Sequence, residues 1–318
     1  VARRAVRGAA QQSRECSCHD SLLNESKILL VPISLPHPLA GVILGFDMKV
    51  LGLVDSHIHL TDFETGTDIH ALIERAAAAG VGCLVCNGTS EDDWAEVREV
   101  ALADSRVVPC FGVHPWYTPR RSDEWLSVLE EFLLSMPSGV GEIGLDRNEQ
   151  PCDREAQEEA FRAQLDVARR LRRPAMVHCV KAWGWLIDIL RSEPVLPCGM
   201  LVHSYGGSAD LIKPLADMGA YFSFSGKVLD GNFLRARAAL LAVPRDRLLV
   251  ETDAPALMPP PEYRSEVVLT SDKREHNSPV NLPDILRGVA ELLGERIDTL
   301  HEIVVENAAR FLEPILEI

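Results

Sequence analysis

No stretch of this sequence is apolar for long enough to cross a membrane as a helix, which takes about 20 consecutive apolar residues. A basic excess is missing too: 32 Lys and Arg stand against 47 Asp and Glu, a net charge of -15. That argues against a broad cationic face gripping duplex DNA through its phosphates, while leaving open a nucleic acid held locally by metal ions. The eight cysteines lack disulfide-framework spacing, and a chain of 318 residues with 47% hydrophobic content can build a core without staples. A reducing, cytoplasmic setting is expected. There is no low-complexity segment, and no internal repeat beyond a strand-then-helix unit.

The N-terminal part, residues 1–47, reads as a non-core extension ahead of a domain over 48–318. Arg3, Arg4, Arg7 and Arg14 precede any acid and a Pro-containing apolar stretch follows, which is faintly like a targeting segment. The serine-rich amphipathic length of such a segment is missing. Cys16, Cys18 and His19 have metal-binding chemistry, but a disordered tail is the simpler expectation.

From Val50 onward, short apolar runs alternate with amphipathic ones. Strands are predicted at 50–54, 82–86, 107–113, 139–143, 175–178, 200–203, 220–224 and 248–251. They are continuous Val/Ile/Leu runs, the pattern of strands buried on both faces. Helical patterns lie between them at 68–79, 92–103, 123–134, 155–170, 183–191, 209–217 and 233–241, with Thr67, Ser90, Ser122 and Ser208 as plausible caps. Two closing helices are expected near 282–293 and 299–312. About eight such units fit either an open doubly wound sheet or a closed (β/α)8 barrel.

The chemistry-bearing residues decide between the two. Asp55-Ser-His57-Ile-His59 closes the first strand, and residues two apart point the same way, so both imidazoles emerge together. Glu142, His178, His203 and Asp253 stand at the ends of four other strands. An open sheet concentrates its site at one switch point, whereas a barrel brings all of these carboxyl ends to one face. So many donors exceed the needs of one ion and suggest a two-metal site bridged by Glu142. Imidazole with carboxylate suits Zn²⁺, with Mn²⁺ and Mg²⁺ as alternatives. The Pro-rich segment 254–283 is long enough to be a functional loop over that face.

With these residues in order, the chain resembles the TatD family of metal-dependent hydrolases and deoxyribonucleases, within the amidohydrolase-like superfamily. The resemblance covers residues 48–312. It rests on Asp55-Ser-His-Ile-His-Leu60, Gly112-Val-His-Pro115, Gly141-Glu-Ile-Gly-Leu-Asp146, Pro174-Ala-Met-Val-His178, His203, Glu251-Thr-Asp-Ala-Pro255 and Asn277-Ser-Pro279. It implies a barrel whose metal ligands are His57, His59, Glu142, His178, His203 and Asp253. Asp253 would also handle the proton of the attacking water, and with Glu142 it makes the catalytic pair. His114 matches a family motif but would be a surplus ligand, so a substrate-facing or supporting role is assigned to it. Lys181, Tyr205, Lys227 and Arg274 are candidates for contact with a phosphate.

Activities typical of the family are metal-dependent cleavage of DNA, often from the 3′ end, and in some members removal of D-amino acids from tRNA. Two departures bear on substrate. Where many members carry an Arg-acid pair after the fifth-strand histidine, this chain has Cys179-Val180-Lys181-Ala-Trp183, and Ser204-Tyr205-Gly206-Gly207 replaces the usual Cys-Phe-(Ser/Thr)-Gly. Trp183 and Trp185 could stack a base or simply pack. The expected function is therefore a 3′-to-5′ deoxyribonuclease acting on DNA, as a monomer or weak oligomer. A carboxyl-ester or amide hydrolase, such as a D-aminoacyl-tRNA deacylase, is the alternative within the same chemistry, and a non-catalytic scaffold is the alternative outside it. Cys83 and Cys86 read as buried hydrophobes on opposite faces of a strand. Trp94, Trp116 and Trp125 read as packing residues.

Overall fold

The computed structural model describes residues 52–148 and 152–316, so the reading of residues 1–47, Cys16, Cys18 and His19 included, lies outside the described residues. Eight strands make one sheet in sequential order: β1 (Leu53–Ile58), β2 (Val81–Asn87), β3 (Val107–Phe111), β4 (Gly139–Asp146), β5 (Ala175–Val180), β6 (Met200–Val202), β7 (Ala220–Phe224) and β8 (Leu248–Val250). Each pairs with the next in parallel. At the seam, the Asp253 amide donates to the His57 carbonyl at 3.0 Å and the His59 amide to the Ala254 carbonyl at 2.8 Å. The sheet closes as the expected (β/α)8 barrel.

Helices α1 (Ile69–Ala78), α2 (Trp94–Ala103), α3 (Trp125–Ser135), α4 (Arg154–Leu171), α5 (Trp183–Ser192), α6 (Ile212–Asp217) and α7 (Leu234–Ala242) fill the crossovers, and α8 (Leu282–Leu293) and α9 (Ile297–Leu316) follow β8. Asp68 caps α1, its carboxylate accepting the Ala71 amide at 2.9 Å, so the cap falls one residue after Thr67. Ser90 does not cap α2; its amide donates to Asp93, which also accepts from the Thr89 amide and hydroxyl. The predicted helix at 209–217 begins as a single 3₁₀ turn, Ala209–Leu211, before α6, and Ser208 ahead of it makes no side-chain cap bond. Among the described residues, no helix is long and apolar enough to cross a membrane.

The strand wall separates two apolar clusters. The larger packs strands against α1 to α8. The smaller contains Val54, Cys83, Met176, Leu201 and Leu249, and meets Phe311, Leu312 and Ile315 of α9. Asn307 fixes α9 beneath β8 through the carbonyls of Arg245 (2.7 Å) and Leu248 (2.9 Å). This end of the barrel is plugged, so the opposite, carboxyl end is where a site can open. Cys83 and Cys86 fall in different clusters, as their opposite faces require, and burial pushes both thiols up to about 12.

Alternation explains only part of what faces that end. From inward Met176, Leu201 and Leu249, a period of two carries His178, His203, Glu251 and Asp253 inward. On β1 and β4 it fails, because counting in twos from inward Val54 would turn His57 outward, and Val140 already lies in the outer cluster. One extra residue interrupts the register between Asp55 and Ile58, and another between Val140 and Ile143. These slips reset the parity and aim His57, His59 and Glu142 at the barrel axis.

The segment after β8 is more ordered than the expected irregular loop. It carries a short antiparallel hairpin, β9 (Val268–Leu269) with β10 (Glu275–His276). The Asn277 side chain ties the hairpin's end to the Thr252 carbonyl at 2.9 Å.

Candidate metal centre

Glu142 is the hub of the buried cluster at the barrel mouth. Its Oε1 lies 2.8 Å from His178 Nδ1 and 2.8 Å from His203 Nε2. Its Oε2 lies 3.2 Å from His59 Nε2 and 3.4 Å from His57 Nε2. Asp253 Oδ1 joins the second group, 3.6 Å from His59 Nε2 and 4.0 Å from His57 Nε2. One oxygen of Glu142 thus addresses His57 and His59, and the other His178 and His203, with His114 3.4 Å away. The chain leaves β8 at Asp253 through the left-handed region (φ 53°), which aspartate tolerates better than most side chains.

Bonds around the cluster fix which nitrogens carry protons. His59 Nδ1 faces the Asn87 carbonyl at 3.0 Å, an acceptor only, so this nitrogen holds the proton and Nε2 offers a lone pair. His178 Nε2 faces Asp146 Oδ2 at 3.2 Å, which leaves Nδ1 as the lone-pair atom. His57 and His59 bring their Nε2 atoms within 3.1 Å, and His178 Nδ1 is 3.3 Å from His203 Nε2. Lone pairs so close to one another and to a carboxylate repel unless protons or a cation stand among them. The donor set therefore fits divalent metal. His114 differs: the Trp116 amide donates to its Nδ1 at 3.2 Å, so in the neutral ring Nε2 carries the proton and points at Glu142 Oε1, 3.4 Å away.

The electrostatics follow from burial and crowding. Burial works against the His59 cation, yet the hydrogen bond and charge of Glu142, with Asp253, lift it to about 9. His57 is held well below its usual value by burial and by the His203 ring stacked 3.8 Å away. Burial lowers His114 to about 4, so it is a neutral donor. Burial opposes ionisation of Glu142, but the surrounding imidazoles hold it well below the carboxylate range. Asp253 is raised to about 7 by burial.

All six predicted ligand residues and His114 converge here; the phosphate candidates divide. Lys181 lines the cavity above the cluster, its Nζ on Asn148 Oδ1 at 2.6 Å, and Lys227 lines it too. Tyr205 is buried and spends its hydroxyl on the Ser208 carbonyl at 2.9 Å, so it has no donor left for a phosphate. Arg274 is not brought to the cavity; it stands exposed beside the β9–β10 hairpin with its Nε on Asp272 at 2.8 Å. Trp94 and Trp125 are buried packing residues, but Trp116 lines the cavity with 47% of its surface exposed.

Three contributors were missed from sequence. Asp146 holds His178 and accepts the Trp116 indole N–H at 2.8 Å. Glu251 lies buried 3.8 Å from His203 Nδ1, and the Asn87 carbonyl orients His59. Asp146 closes one of the motifs and Glu251 opens another, which was the available signal. An exposed trio, His70, Glu74 and Asp104, also has metal-binding atoms, but Arg106 sits on both acids at 2.5 Å.

The mouth opens into a cavity of about 620 Å³, within the roughly 300–1,000 Å³ usual for small-ligand sites. Comparisons with known proteins point to one family. The family described as "TatD related DNase" matches residues 54–313. The uncharacterized metal-dependent hydrolase YcfH of Escherichia coli K12 is 33% identical over 264 residues, spanning 81% of this chain and 94% of that protein. A Pantoea vagans protein named 3′-5′ ssDNA/RNA exonuclease TatD is 33% identical over 264 residues, covering 80% of this chain and 97% of that one. The crystal structure of YJJV, a TatD homologue from E. coli K12, superposes with a TM-score of 0.74 at 25% identity, over 81% of this chain and 97% of its own.

Proposed function

The chain belongs to the TatD family of metal-dependent hydrolases, and on that premise we propose that it removes nucleotides from the 3′ end of single-stranded nucleic acid. Two divalent ions would be held by His57, His59, Glu142, His178, His203 and Asp253, with zinc best suited to this donor set. The observation that carries the proposal is the gathering of imidazoles on both oxygens of Glu142, His57 and His59 on one, His178 and His203 with His114 on the other. Relatives named as exonucleases supply the substrate class.

Bound there, the ions supply an acidified water and neutralise charge developing on the phosphate. The rest of the work falls to side chains. Asp253, beside the His57 and His59 pair, takes the proton of the attacking water on its carboxylate. His114, neutral and with Nε2–H turned to the centre, donates to a phosphoryl oxygen as charge gathers on it. Lys181 at the mouth sets its ammonium against the phosphate. Trp116 and Trp183 offer aromatic faces to the terminal bases.

The test uses metal-stripped protein and its Asp253→Asn variant with 5′-labelled single-stranded DNA, with and without Mg²⁺, Mn²⁺ or Zn²⁺. Metal-dependent shortening to a ladder by the unmodified chain alone is the expected result. If the loaded chain leaves DNA intact but cleaves an acyl ester or aminoacyl-tRNA, the substrate assignment is wrong and the ester or amide reading replaces it.

A further inference from the structure

Two grooves continue outward from the catalytic cavity, and they differ in charge. One passes Asp62 and Tyr117 towards Glu275 and His276; among the described residues its lining holds two carboxylates and no lysine or arginine. The other, of about 520 Å³, is lined by Lys227, Phe233, Met258, Pro259 and Arg264 among others. Lys227, Phe233 and Leu257 line both this groove and the cavity, so the two spaces are continuous.

Of the two cations of the second groove, Lys227 is available, whereas Arg264 is already paired. Lys227 is exposed, makes no ion pair among the described residues, and holds its ammonium 4.8 Å above the Phe233 ring. Arg264 gives Nη1 to Glu275 at 2.9 Å, while its Nε is buried without a partner. Of the two acids in the lining, Asp230 is occupied by the Asn232 amide and side chain at 2.9 Å, which leaves Glu262. In a chain with a net charge of -15, a lysine beside an aromatic ring at the mouth of the site is a local exception.

We propose that this second groove is the binding site for the upstream nucleotides of a single strand whose 3′ end lies at Glu142; the inference rests on the nuclease reading above. Lys227 takes the first phosphate upstream of the scissile one, and Phe233 stacks the adjoining base over the apolar floor of Met258 and Pro259. The other groove repels the same backbone through Asp62, its second acid, Glu275, being paired with Arg264. The strand therefore has one direction of approach, which orders the removal of nucleotides from its end.

The experiment measures anisotropy of a labelled, cleavage-resistant phosphorothioate oligothymidylate with the zinc-loaded full chain across a salt series, for the unmodified protein, Lys227→Gln and Phe233→Ala. Cleavage of an ordinary oligonucleotide and of a dinucleotide is followed in parallel. For Lys227→Gln, affinity should fall about tenfold and the slope of log affinity against log salt should become shallower by ~0.7, one lost phosphate contact. The cleavage preference for the oligonucleotide over the dinucleotide should shrink by a similar factor, and Phe233→Ala should weaken binding without altering the slope. Unchanged affinity and slope in Lys227→Gln, or an equal loss on both substrates, would overturn the groove. If the chain binds the strand with a Lys227-dependent slope yet cuts nothing, the groove stands and the hydrolytic reading fails. If it cuts both substrates equally well with or without Lys227, the nuclease reading stands and the groove falls.

Discussion

Asp146 Oδ2 faces His178 Nε2 at 3.2 Å, and the opposite nitrogen of that imidazole faces Glu142 Oε1 at 2.8 Å. Burial works against ionising Asp146, but the His178 bond, the Asn148 amide and the Trp116 indole bring it down to about 2, so it is a carboxylate throughout the working pH range. A carboxylate behind a metal-binding imidazole fixes the tautomer and raises ligand basicity. Asp146→Ala should weaken metal binding roughly 10- to 100-fold, with activity largely recovered at higher metal concentration. Titration of metal into the stripped variant checks this; an unchanged affinity would reduce Asp146 to a packing role.

Metal uptake should release protons. His59 in the metal-free protein is raised from 6.5 to about 9, so it is protonated at neutral pH, and ligation needs the neutral ring. Affinity should therefore tighten as pH rises towards 9. The sign for stability is the reverse: a raised histidine pKa stabilises the metal-free fold fully below 6.5, and this is lost as pH climbs through about 9. Calorimetry in buffers of differing ionisation enthalpy reads the proton count directly. Zero release at neutral pH would contradict the assignment of His59 as a ligand.

Gly144 of β4 sits directly against His178 of β5. Its φ is +147°, and a Cβ there would overlap the His178 carbonyl oxygen. Since β4 carries Glu142 and β5 carries His178, side-chain bulk at Gly144 pushes apart two residues of the centre. Gly144→Ala should cost on the order of 3 kcal/mol or more from strain and overlap together, read as a lower urea midpoint. Metal affinity should fall with it. A variant with the unmodified chain's midpoint would mean that the strands have slack at this point.

The barrel was legible because its strands are continuous apolar runs, and the centre because donors of the right kind end five of them. What stayed hidden was non-local or broke the period. The register slips beside His57 and Glu142 leave no mark in hydrophobicity, since they fall on Ser56-His57 and Gly141-Glu142, which interrupt the apolar runs whether or not the register shifts. Asp146 could be seen in its motif, but its partners Trp116 and His178 lie 30 and 32 residues away along the chain. The hydroxyl of Tyr205 and the guanidinium of Arg274 looked free only because their acceptors, Ser208 and Asp272, are local choices of loop geometry.

Trp116 is the residue whose reading changed most, and it does two separable things. Its indole N–H reaches Asp146 at 2.8 Å, behind the metal cluster, while the residue, 47% exposed, lines the cavity. Trp116→Phe keeps an aromatic face and removes the donor, so it should weaken metal binding slightly and leave KM for an oligonucleotide within about threefold. Trp116→Ala removes both, and its KM should rise roughly 5- to 150-fold, the equivalent of ~1–3 kcal/mol for one stacked base. Steady-state kinetics at saturating metal separate the two, because high metal masks the lost indole bond but cannot replace a stacking face. Equal KM values for the two variants would show that Trp116 acts only through Asp146, and the terminal base would then have to rest against Trp183 alone.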